Sequence, residues 1–169
     1  MRNVVSDSSC IIDIRKASLL NTFLLLPYEF LIPNTLFDDE LLSFTGAEKE
    51  ALVRGGLRIM DLPGASVLRA RAIARQMPSL SIHDAFAFAL AESHPGCILL
   101  TADRQLRSLA AQHNLEVHGI LWVIDEINRC HLADATTLIG ALRALSMDPT
   151  VRLPSSLLTT YLERYEAMT

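Results

Sequence analysis

The chain predicts an α/β fold with a central, mainly parallel sheet, and three observations carry that reading. Short apolar runs suited to buried strands alternate, up to about residue 119, with longer segments of helical periodicity. Acidic residues stand just past the ends of several of those runs, the edge where open parallel sheets bind their ligands. After Gly119 only helical patterns follow. The expected organisation is a single domain over 1–169, with an α/β core at 1–119 and a helical part at 120–169 packed on or beside it.

Each element has its own signal. Residues 3–6 read as a short strand, and 9–25 as one or two helices under a dense apolar pattern. Residues 29–33 read as a second strand, with Pro33 suited to the first turn of the helix that follows. Thr45-Gly46-Ala47-Glu48 has the form of a capping box and opens a helix through Val53, ended by Gly55-Gly56. Leu57 to Leu62 alternates as a strand does, bounded by Pro63-Gly64. A helix from about Ala65 to Gln76 stops before Pro78, and another starts at Ser81 and ends at His94-Pro95-Gly96. Residues 97–101 are the most strand-like stretch. A helix from Arg104 to about His113 comes next, with Asn114 placed for a left-handed cap. Glu116 to His118 is a last short strand, and 120–130, 133–147 and 155–167 read as helices.

Composition narrows the class. At 169 residues, half of them apolar and a fifth charged, the chain can bury roughly two thirds of its unfolded surface. No apolar stretch reaches the ~18 residues of a membrane span, and Met1-Arg2-Asn3-Val4 runs straight into a strand without a secretory pattern, so a cytoplasmic protein is expected. Cys10, Cys97 and Cys130 are odd in number and widely spaced, which suits structural thiols rather than disulfides. The five histidines show no zinc spacing. The net charge of −4 argues against a surface that binds nucleic acid throughout, yet leaves room for a local basic strip. Arg69, Arg71 and Arg75 read as an ordinary solvated helix face, whereas Arg104 stands beside an acid of interest.

Four acids hold the candidate chemistry. Asp7 follows Val4-Val5, and Asp103 follows Ile98-Leu99-Leu100, each just past a strand. Glu40 is placed about one turn into the helix after Phe30-Leu31-Ile32, and Asp84 opens the apolar helix from Ser81. Taken singly, Asp7, Asp84 and Asp103 each have the address of a helix cap, and Glu40 that of a surface residue. Convergence of all four requires another explanation. Two carboxylates about 4 Å apart repel by about 4 kcal/mol at an effective dielectric near 20, so such a cluster implies a bound divalent cation. The all-oxygen donor set suits Mg²⁺ or Mn²⁺.

The residues around these acids resemble the PIN-domain family, metal-dependent ribonucleases that include toxins of prokaryotic toxin–antitoxin pairs. The likeness runs through Val4-Val5-Ser6-Asp7-Ser8-Ser9, Ile32-Pro33-Asn34-Thr35-Leu36-Phe37-Asp38-Asp39-Glu40, Ser81-Ile82-His83-Asp84-Ala85, Leu100-Thr101-Ala102-Asp103-Arg104 and His118-Gly119-Ile120-Leu121. It implies a PIN-like three-layer α/β/α sandwich. It also implies that Asp7, Glu40, Asp84 and Asp103 are catalytic. Asp7, Asp84 and Asp103 would be the principal Mg²⁺ or Mn²⁺ ligands, and Glu40 would complete the site or position a water. Ser9 and Thr101 would orient Asp7 and Asp103, and Arg104 would contact the RNA. The alternative within the same resemblance is a catalytically weak module that binds RNA or protein.

Other strand-end chemistries fit poorly. A dehalogenase-like phosphatase wants a second aspartate two residues after the first, where Ser9 stands. A phosphate-receiver domain wants a late lysine, and the only lysines are Lys16 and Lys49. No GxGxxG follows the first strand. Leu121, Ile124 and Ile127, then Leu138, Leu142 and Leu145, recur at helical spacing and exceed what a small sheet needs. That surplus predicts a homodimer or a groove for an antitoxin peptide, formed there or by the helices before Pro78.

Overall fold

The computed structural model describes residues 1–169. Five strands, β1 (Arg2–Ser6), β2 (Tyr28–Pro33), β3 (Arg58–Met60), β4 (Ile98–Leu100) and β5 (Glu116–His118), form one sheet in the order β3-β2-β1-β4-β5. Every neighbouring pair is parallel, with Val5 opposite Leu31 and Leu99, and Leu100 opposite His118. The central strands are buried on both faces, as Val4, Val5, Phe30 to Ile32 and Ile98 to Leu100 show, which is why they read as unbroken apolar runs.

Right-handed crossovers send the helices after β1 and β2 to one face of the sheet and those after β3 and β4 to the other. The first group is α1 (Ser8–Lys16), α2 (Leu20–Phe23), α3 (Asn34–Asp39) and α4 (Gly46–Arg54). The second is α5 (Gly64–Gln76), α6 (Ile82–Glu92) and α7 (Arg104–Gln112). The result is a three-layer α/β/α sandwich. Helix α6 is apolar on nearly every side because it lies between β1, β2 and β4 on one flank and α5 and α7 on another. Its alanines Ala85, Ala87, Ala89 and Ala91 are all buried and let the backbone approach the sheet.

The remaining helices are α8 (Ile120–Arg129), α9 (Ala135–Met147) and α10 (Ser155–Glu166). Helices α8 and α9 pack on α1, and α10 packs on α9. Leu121, Ile124, Ile127, Leu138, Leu142 and Leu145 are all buried within the chain. Their spacing therefore reports an internal core, and these six residues are not the surface that a second copy or an antitoxin peptide would cover. A sheet of 3- to 6-residue strands offers α1 and α2 too little cover by itself, and this helical layer supplies the rest.

Boundaries differ from expectation mainly at α3. Glu40 does not lie inside that helix but ends it as the C-cap, at φ −107° and ψ −24°. The local sequence explains the stop, since Asp38, Asp39 and Glu40 put three acids at the negative end of the helix dipole. Pro33 closes β2 and serves as N-cap of α3 rather than as its first turn. Asn114 takes the left-handed conformation, at φ 57°.

Candidate active site at the switch point of the sheet

The chain turns left from β1 toward β2 and, later, right from β4 toward β5, so the crevice between the carboxyl ends of β1 and β4 is the topological switch point. Asp7 and Asp103 leave the sheet there. The Asp7 N–H donates to the Leu100 carbonyl at 2.8 Å, which locks the two strand ends together. A cavity of about 250 Å³ opens at this point, and Asp7, Glu40, Asp84 and Asp103 all line it.

Each aspartate caps a helix and still faces the cavity. Asp7 Oδ1 accepts from the Ser8 N–H at 2.9 Å, and Asp103 Oδ1 from the Leu106 N–H at 2.8 Å. Asp84 forms a capping box with Ser81: its Oδ2 accepts from the Ser81 N–H at 3.2 Å, and its own N–H donates to Ser81 Oγ at 3.0 Å. Capping uses one oxygen of each carboxylate. Asp84 Oδ1, Asp103 Oδ2 and Glu40 Oε2 accept no hydrogen bond from within the chain.

Two hydroxyls hold the buried acid in place. Asp7 is 2 % exposed, and its Oδ2 accepts from Ser9 Oγ and Thr101 Oγ1, both at 2.8 Å. The same hydroxyls reach the β4–α7 turn, because Ser9 Oγ accepts from the Ala102 N–H at 3.1 Å and Thr101 Oγ1 from the Asp103 N–H at 3.0 Å. Ser8 Oγ donates to Glu40 Oε1 at 2.7 Å and ties α1 to the end of α3. Burial pushes the Asp7 carboxyl up to about 7, and the negative charges of Asp84 and then Glu40 push in the same direction. The hydrogen bonds from Ser9 and Thr101 pull it partly back.

The donor set fits a hard divalent cation. It consists of carboxylate oxygens, three of them without an internal partner, around an acid whose ionised form the protein destabilises. No three acidic, histidine or cysteine groups stand close enough to ligate one ion together. An ion held here would have to keep part of its water shell. The acids share a cavity without closing on a single centre.

Sequence reasoning missed several residues of the cavity. Ile12, Asp13 and Lys16 line it from α1. With Ser9 they recur at three- and four-residue intervals, so helical periodicity was a signal for them. Thr150 and Arg152 line it from the segment between α9 and α10, which no motif marks. Lys16 Nζ donates to Thr150 Oγ1 and lies 3.6 Å from Asp148 Oδ2, which seats that segment on α1. Burial pushes the Asp13 carboxyl up to about 6, with Lys16 pulling it down and Asp148 pushing it up. Arg152 is exposed and makes no hydrogen bond or ion pair within the chain. Arg104 stands exposed at the first position of α7 and does not line the cavity. Arg69 is engaged elsewhere, in a two-pronged pair with Glu92 at 2.9 and 3.2 Å.

Comparison with known families agrees with this architecture. A family profile described as PIN domain matches residues 3–167, which is nearly the whole chain. The chain belongs to the PIN-domain family. No curated protein matches it. The PIN domain is a nuclease-type fold, and the acids that resemble the family's motifs in sequence are the ones that line the cavity at the switch point of this PIN sheet. No helix of this PIN domain is long and apolar enough to cross a membrane.

Proposed function

We propose that this PIN domain is a divalent-metal-dependent endoribonuclease that hydrolyses RNA phosphodiester bonds, of the kind that serves as the toxin of a toxin–antitoxin pair. One observation carries the reading: four carboxylates from four separate segments line a single cavity at the switch point, one of them buried and held by two hydroxyls. Caps alone explain each aspartate but not their common cavity.

Asp7, Asp84 and Asp103 would hold Mg²⁺ or Mn²⁺, directly or through water. When bound, the ion supplies a lowered pKa for a bound water and stabilises charge developing on the phosphate. Ser9 and Thr101 fix the Asp7 carboxylate, and Glu40, anchored by Ser8, orients a water at the rim. Arg152 offers a free guanidinium to a phosphate entering a cleft whose other base, Lys16, is held by Thr150 and Asp148, a job that Arg104 would share farther out. An anionic polymer needs such a contact, because five carboxylates face it here once Asp13 is counted.

The test is digestion of single-stranded RNA with Mg²⁺, with Mn²⁺ and with EDTA, using wild type and Asp84→Asn. Asparagine preserves the cap on Ser81 but weakens metal binding. Loss of cleavage in EDTA and in the variant supports the reading. A variant that cleaves at the wild-type rate defeats it.

A further inference from the structure

We propose that a second cavity beside the acid cleft holds the nucleotide of single-stranded RNA next to the cleaved linkage, with Arg107 on its phosphate and an aromatic wall on its base. This rests on the ribonuclease reading and adds to it the path that the substrate takes.

The cavity measures about 250 Å³, and its lining includes Arg107, His118, Trp122, Leu153, Leu157 and Tyr161. That is below the ~300–1,000 Å³ of sites for drug-sized ligands and suits one base. The rings of His118 and Trp122 already stack, with centroids 4.7 Å apart and planes 6° from parallel. A flat aromatic ligand can therefore join or flank an existing stack, and base-on-ring stacking is tolerant of sequence because every base has a π-face. Arg107 is exposed, and its guanidinium makes no hydrogen bond or ion pair within the chain. A Cβ on Gly119 would stand 3.8 Å from its Nη1, so the guanidinium lies along the glycine at the cavity edge. The floor is the first turn of α8, which no side chain caps, and this adds backbone N–H donors near the arginine.

Two independent segments join this cavity to the acid cleft. Arg152 lines the cleft, and its neighbour Leu153 lines the second cavity. On α7, Asp103 lines the cleft, while Arg107, whose N–H bonds to the Asp103 carbonyl at 3.1 Å, lines the second cavity one turn on. Both cavities sit at the carboxyl edge of the sheet, because Leu100 pairs with Ser6 on one side and His118 on the other. A chain of phosphates leaving the carboxylates between α7 and the 150–153 segment meets Arg152 and then Arg107. That order of charges is what a polyanion needs to leave an acidic site.

Trp122 is the only tryptophan in the protein and lines this cavity, so tryptophan emission comes from a residue of its wall. The experiment titrates a short single-stranded oligoribonucleotide of mixed sequence into the full chain in EDTA, where metal-dependent cleavage is blocked. A saturable change in Trp122 emission is expected. Arg107→Gln should weaken it about tenfold, as loss of one charge-assisted contact does. The slope of log affinity against log salt should also fall by about 0.7 for one lost phosphate on a single strand. Arg71→Gln, on the exposed face of α5, should leave both unchanged. Cleavage of the same oligonucleotide in Mn²⁺ separates the two readings. Cleavage with an unresponsive Trp122, or a response that Arg107→Gln leaves intact, overturns the second cavity and leaves the ribonuclease reading standing. A response that depends on Arg107 without cleavage supports the cavity as a nucleotide site, overturns its place beside a cleaved linkage and overturns the ribonuclease. Silence in both assays overturns both.

Discussion

Replacing Thr101 by valine probes the site most sharply, because it removes one hydroxyl and little volume. That hydroxyl is fully buried, donates to Asp7 Oδ2 at 2.8 Å and accepts from the Asp103 N–H at 3.0 Å. Loss of a hydrogen bond to a carboxylate costs about 1.5–3 kcal/mol. The orphaned Asp103 N–H adds about 1 kcal/mol, the low end for an unsatisfied donor, since Asp103 is only partly buried. The sum is about 3 kcal/mol, or a fall of roughly 6–12 °C in Tm for a domain of this size. Thr101→Ser keeps both bonds, loses a methyl group and should cost about 1 kcal/mol. The assay is thermal unfolding in EDTA at pH 8, run also in an Asp7→Asn background. There the bond has no charge to serve, and the Thr101→Val penalty should shrink by about 1 kcal/mol or more. A Thr101→Val penalty below that of Thr101→Ser would refute the reasoning, as would a penalty unchanged by Asp7→Asn.

Other outcomes follow from the same site. Mn²⁺ at ten times its Kd should stabilise the wild type by about 1.4 kcal/mol, roughly 3–6 °C in Tm, and Asp84→Asn should lose most of that shift. Differential scanning fluorimetry reads both, and a full shift in the variant would remove Asp84 from the metal site. Arg152→Gln should raise KM for RNA while leaving the Mn²⁺ shift intact, and an unchanged KM would show that Arg152 does not contact substrate. Asp13→Asn tests the pH dependence. The folded carboxyl titrates near 6 against 3.8 for the free group, so its contribution to stability is present below pH ~4 and lost as pH rises through ~6. The raised carboxyl sets a ceiling of about 3 kcal/mol, reduced to about 1–2 because it lines a cavity open to solvent. Asp13→Asn should therefore melt higher than wild type at pH 8 and not at pH 4, and an equal difference at both would discard the account.

The strands were legible because each central one is buried on both faces and so is written as an unbroken apolar run, Val4-Val5 or Ile98-Leu99-Leu100. The helix starts were legible for a local reason too: Thr45 and Ser81 hold their caps within four residues. Asp7, Asp84 and Asp103 could be singled out because strand ends and helix starts place them, and both are short-range signals. The end of α3 at Glu40 was misread, since periodicity continues past a point where three acids oppose the helix dipole.

Tertiary structure alone decided what the local signals left open. Spacing showed that Leu121 to Ile127 and Leu138 to Leu145 needed burial, but a periodic stripe does not say whether the cover is another helix of the chain or another molecule. Packing of α8 and α9 on α1 answers that question. Arg152 and Thr150 reach the acids only because Lys16 and that packing seat a distant segment beside Asp7. A contact between residues more than a hundred apart leaves no trace in periodicity or capping, which are properties of neighbours. Sequence by itself determined which acids stand at strand ends, and the order β3-β2-β1-β4-β5 determined that those ends meet.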